Sequence, residues 1–165
     1  MRHVAIVLSA PLLILVSSAT LAADPCALVT RTEASALLGQ PSAPGAKSGP
    51  ARDEDSSGQL SYCTYKAGTA ALIVSLVEFS SPAEAKKALT ANLVKRRIGE
   101  DDAKVTEEAG IAERAFYAVT AEGSMYVFIK GITVVGLGIG GPGSPKAATV
   151  KGALKANSIA VAAKL

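Results

Sequence analysis

The sequence predicts an α+β domain, with an antiparallel sheet of about five or six strands and helices on both faces. Three observations carry that prediction. The strand-like stretches 70–79 and 124–137 are apolar on both sides, as strands covered on two faces are. These stretches come in adjacent pairs joined by short glycine-containing turns, the pattern of antiparallel neighbours. Ser81-Pro82 and Ser144-Pro145 each follow an apolar strand and open a helical stretch, so the chain reads twice as strand, strand, helix.

Residues 1–22 read as a secretory signal peptide. Met1-Arg2-His3 precedes an apolar run over 4–16, and Ser17-Ser18-Ala19-Thr20-Leu21-Ala22 is a small-residue exit. The thirteen residues of that run fall short of the roughly 20 that a membrane-spanning helix needs. Cleavage is expected after Ala22, with Ala23 as second choice. Cys26 follows Asp24-Pro25, which is unsuited to lipid attachment. Removing the leader from the 165 residues leaves 143, enough for one domain over 23–165.

The mature chain carries 16 basic and 14 acidic residues, a balance too even to imply a nucleic-acid partner. No later segment predicts a membrane span. His3 is the only histidine and leaves with the leader, which removes histidine-based nucleophiles, bases and metal ligands. No metal site and no cofactor are expected. Cys26 and Cys63 lack a Cys-x-x-Cys spacing, and in an exported chain such a pair is expected to form a structural disulfide.

Along the mature chain, Thr30-Arg31-Thr32-Glu33 is a capping box that opens a short helix, with Ala34, Leu37 and Leu38 inward and Gly39 at its end. Residues 40–58 are rich in Pro, Gly and Ser and predict a mobile loop, with Asp53-Glu54-Asp55 as a solvated acidic tip. A calcium loop would need alternating oxygen ligands and a closing Glu, which are missing. Strands follow over 60–66 and 70–79. Ser81-Pro82-Ala83-Glu84 is a second capping box, opening a helix that ends before Gly99. Its buried face is Ala85, Ala88, Leu89 and Leu93, and Lys95-Arg96-Arg97 complements its dipole. Further strands are expected over 104–107 and up to 119. The central hairpin, 124–137, turns at Lys130-Gly131. A last helix runs from Ser144-Pro145 towards Ala163.

Three patterns invite chemistry. Gly136-Leu137-Gly138-Ile139-Gly140-Gly141 has the G-x-G-x-x-G spacing of dinucleotide loops, but only one helix follows, so no second parallel strand or ribose-binding acid can be placed. A glycine-rich strand exit explains it better. Glu107, Glu108 and Glu113 could be hydrolytic carboxylates, yet adjacent glutamates on a strand point to opposite sides. No catalytic residue is assigned. Tyr65, Tyr117 and Tyr126 mark a sheet-to-helix cleft as the candidate ligand-binding site.

Asp24-Pro25-Cys26-Ala27-Leu28-Val29-Thr30-x-x-Glu33, Leu38-Gly39, Tyr62-Cys63-Thr64-Tyr65 and Gly110-Ile111-Ala112-Glu113-Arg114-Ala115-Phe116 resemble segments of small exported bacterial domains, common among actinobacterial lipoproteins. The resemblance spans nearly the whole mature chain. It implies an α/β/α sandwich of the PsbP-like type and transfers no catalytic residue. The expected function is a periplasmic or secreted, non-enzymatic binding module for a protein partner or small ligand. A secreted inhibitor presenting 40–58 to a hydrolase is the alternative, and a histidine-independent hydrolase the third.

Overall fold

The computed structural model describes residues 23–54, 56–98 and 103–165. The leader over 1–22, Gly99 and the acidic run over 100–102 lie outside the described residues. Seven strands form one sheet: β1 (Ala46–Arg52), β2 (Gln59–Ala67), β3 (Ala70–Glu78), β4 (Lys104–Glu108), β5 (Arg114–Val119), β6 (Gly123–Lys130) and β7 (Thr133–Gly140). They lie in the order β1-β2-β3-β7-β6-β5-β4, and every neighbouring pair is antiparallel.

The apolar hairpin β6–β7 occupies the middle of this sheet, as its two-sided hydrophobicity requires. Its turn is one residue later than expected. Lys130 pairs with Thr133, so Gly131-Ile132 is the connection. Gly131 has φ +59° and Ile132 keeps negative φ, the pattern of a type II′ turn with glycine first.

The seventh strand is β1, which lies within the stretch expected to be a loop. All its side chains are exposed, so it has no hydrophobic alternation to read. It pairs with β2 through backbone alone, and its register shifts between Ser48 and Ala51. Pro50 sits at that irregularity, on an edge strand, where a missing N–H is tolerated.

Helices α1 (Pro25–Leu28), α2 (Arg31–Leu38) and α5 (Ala147–Ala163) cover one face of the sheet; α3 (Pro82–Ala88) and α4 (Ala91–Ile98) pack on the other. Helices thus lie on both faces. Leu37, Leu38, Val150, Leu154 and Val161 pack with Leu72, Val74, Tyr126, Phe128 and Leu137 on the first face. Ala85, Leu89 and Val94 meet Val77, Phe116, Val127, Ile129 and Val134 on the second.

The Thr30–Glu33 capping box is complete, and Gly39 ends α2 at φ +70°. Such a cap contributes about 1 kcal/mol. The second box is only half made: Ser81 accepts from the Glu84 amide, but the Glu84 carboxylate takes the Ser80 hydroxyl. The single helix expected after Ser81 is two. Leu89 leaves helical geometry at ψ 88°, and the Thr90 hydroxyl accepts from the Leu93 amide to restart the chain as α4. Likewise α5 begins at Ala147, after Ser144-Pro145, with Lys146 at its cap and no side-chain cap bond.

Cys26 and Cys63 form the expected disulfide, tying α1 to β2. The Tyr65 hydroxyl reinforces this junction by donating to the Cys26 carbonyl at 3.1 Å and to the Val29 carbonyl.

Candidate functional site

Residues directly paired across an antiparallel sheet share a face. On the side of α3 and α4, the register therefore aligns Tyr62, Ser75, Gly136, Val127 and Phe116 in one row. Thr64, Ile73, Gly138, Met125 and Ala118 form the next. Helix α4 packs on β4 and β5, and α3 packs on β7. Towards β2 the rows emerge from beneath the helices. Tyr62 is 38% exposed and Ile73 46%, large apolar side chains on adjacent strands.

Beyond Ile73, on the next strand β7, the floor is glycine. A Cβ at Gly136 would meet Ser75 Oγ at 2.4 Å and Met125 Cε at 3.2 Å, and one at Gly138 would meet Met125 Cβ at 2.9 Å. The bare strand thus lets Ser75 and Met125 lie close over β7. What results is a shallow groove of about 240 Å³, bordered by Ile73, Ile98, Met125, Gly138 and Gly140. Gly136, Gly138 and Gly140 belong to β7 itself rather than to an exit loop, so the G-x-G-x-x-G spacing records a strand whose α3/α4 face is bare from Gly136 to Gly140.

The true exit is Gly141-Pro142-Gly143. Gly141 has φ +95°, and a Cβ there would meet the Thr69 carbonyl at 2.5 Å. A second cleft, about 350 Å³, opens here among Thr120, Glu122, Gly141, Ser144 and Lys146. Ser144 Oγ borders it with no hydrogen-bond partner. Glu122 on the same cleft opposes an anion.

The three tyrosines expected to line a cleft are buried beneath α1 and α5. Tyr65 is spent on the carbonyls of Cys26 and Val29, which ties α1 down. Tyr117 and Tyr126 do come together, on facing positions of β5 and β6, with ring centroids 4.7 Å apart. The Tyr117 hydroxyl donates to the Ala147 carbonyl at 3.2 Å, holding the start of α5. Tyr65 lies across the sheet from this pair, on β2, so the three do not form one open site.

Tyr126 is fully buried, and its hydroxyl has no partner. Burial first, then the neighbouring charge of Glu108, pushes its pKa up to about 12. An unmade hydrogen bond of this kind costs about 1–3 kcal/mol. Tyr126→Phe is therefore expected to hold or raise stability, by up to about 1 kcal/mol, in urea unfolding; a loss of 2 kcal/mol would show that the hydroxyl has a partner in solution.

The glutamates separate as the strand period demands. Glu107 faces the α3/α4 side and takes Arg114 at 2.8 Å, while Glu108 lies under α5 and takes Lys151 at 2.6 Å and Lys155 at 3.1 Å. Glu113 accepts from the Gly131 amide and pairs with Lys86. Hydrogen bonds from Lys151 and then Lys155 hold the Glu108 carboxyl below its ordinary pKa. A lowered folded pKa stabilises above the unfolded value, about 4.3, and that contribution is lost as pH falls through the folded pKa. Glu108→Gln is expected to cost up to about 1 kcal/mol at pH 7 and to flatten the acid side of the stability profile. Equal acid slopes in the two proteins would contradict this.

Tyr62 and Ile73 were not singled out as a surface from sequence. The signal was present in Gly136-x-Gly138-x-Gly140, where alternate glycines strip one face of a strand. No protein-family model, curated protein or solved structure matches this chain.

Proposed function

We propose that this chain is an exported, non-enzymatic binding module that docks a protein partner on the open half of its sheet. The observation that carries the reading is the exposure of Tyr62 and Ile73 on adjacent strands, next to the bare glycine face of β7. Exposed apolar side chains grouped on a flat surface mark contact sites more often than scattered single ones do. The groove, at about 240 Å³, is smaller than the roughly 300–1,000 Å³ of small-molecule sites and is open along the sheet. A broad partner surface suits it better than a small ligand. Tyr is also among the residues enriched at protein interfaces. The leader-like residues 1–22 and the Cys26–Cys63 disulfide support export to an oxidising compartment. Among the described residues, no helix is long and apolar enough to cross a membrane.

Photo-crosslinking tests the reading. A photoreactive residue is placed at 62, at 73, or at Ile159, which is exposed on α5. The same discrete adduct is expected from 62 and 73 and not from 159, and Ile73→Asp is expected to abolish the adduct at 62. Equal adducts from all three positions, or none from 62 and 73, would overturn it. An adduct of twice the chain's mass would replace a foreign partner with a second copy.

A further inference from the structure

We infer that processing between Ala22 and Ala23 frees an α-ammonium group that Glu78 holds, so that the new N-terminus locks onto the sheet. The inference rests on the export reading above for the cut itself. Ala23 is partly buried and packs against the core beside Cys26. Its backbone nitrogen lies 3.3 Å from Glu78 Oε1, a contact between residues 55 positions apart. Glu78 is the last residue of β3 and is half-buried on the face that carries α1. In an uncut chain this nitrogen is a neutral amide. Once the bond before it is hydrolysed, water adds across that peptide bond and Ala22 leaves with the new carboxylate. The nitrogen becomes a cation facing a carboxylate.

The same contact discriminates between the two possible cuts. Cleavage after Ala22 places the small residues Thr20 and Ala22 at the third and first positions before the bond. Cleavage after Ala23 would place Leu21 at the third position and would discard a residue that the fold uses. Asp24 then continues the junction: its side chain caps α1 and pairs with Lys47 at 3.2 Å. Ala23 therefore belongs to the folded domain.

Two measurements test this. The full chain is expressed with its leader in an exporting bacterium, and the recovered protein is sequenced from its N-terminus. A start at Ala23 is expected. Retention of residues 1–22 would overturn the export reading together with the cut, whereas a start at any other residue would overturn this inference alone. Separately, protein beginning at Ala23 is compared with protein carrying Gly-Ser before Ala23, each with and without Glu78→Gln. Glutamine still accepts a hydrogen bond from an amide but cannot pair with an ammonium. Glu78→Gln is expected to lower the folding constant of the Ala23-first protein by about threefold and to leave that of the extended protein unchanged. Equal effects on both would overturn the role of Glu78.

Discussion

Replacing Cys26 and Cys63 together by alanine is expected to lower stability by about 4 kcal/mol. The bond closes a loop over a sequence separation of 37, which the unfolded chain must otherwise sample freely. A second contribution adds to the entropy. Helix α1 has only four residues, too few to hold helical structure alone. It is kept on β2 by the disulfide, the two hydrogen bonds of Tyr65 and the Asp24–Lys47 pair. Urea unfolding of the oxidised protein, the reduced protein and the double alanine variant checks this. The last two should unfold together, well below the first. Coincident midpoints for all three would contradict the assignment.

Phe128→Ala is expected to cost about 3–5 kcal/mol, while Ile73→Ala should change stability by no more than about 0.5 kcal/mol. Both residues are large and apolar and sit in the middle strands of one sheet. Phe128 is fully buried on the face under α5, between Ala115 and Val135, so its removal opens a void that small neighbours cannot fill. Ile73 points to the opposite face, on the open side of the groove it shares with Ile98, and already meets solvent. The contrast is measurable by thermal or urea unfolding of the two variants. A loss above 2 kcal/mol for Ile73→Ala would mean that this half of the sheet is covered in solution.

Much of the architecture is legible in the residues. Two-sided apolar strands over 70–79 and 124–137 announce a sheet sandwiched by helices, because each face must bury what it carries. Thr30 and Glu33 announce a helix start, because their side chains answer backbone groups three positions apart. The pairing of Cys26 with Cys63 followed from count and expected compartment. Strand β1 was illegible for an equally physical reason. It buries no side chain and is held by backbone bonds to β2, and backbone bonds leave no trace in residue type. The break at Leu89 was hidden because Leu89 and Val94 both face the core, which imitates one continuous helix. The burial of the three tyrosines is illegible for a related reason. Sequence marks Tyr65, Tyr117 and Tyr126 as amphipathic, but only their surroundings reveal that two hydroxyls are spent on backbone carbonyls and the third is sealed in.

The residues by themselves determined the class of fold, the Thr30 helix cap, the central hairpin and the disulfide, because each depends on local chemistry or on a period that a strand or helix imposes. Tertiary structure alone decided which face of β7 stays bare, which tyrosine meets solvent, and that Ala23 reaches Glu78. Those outcomes depend on how far α3 and α4 extend over the sheet and on which distant strand end lies beside the start of the domain. Neither is encoded in the spacing of neighbouring residues.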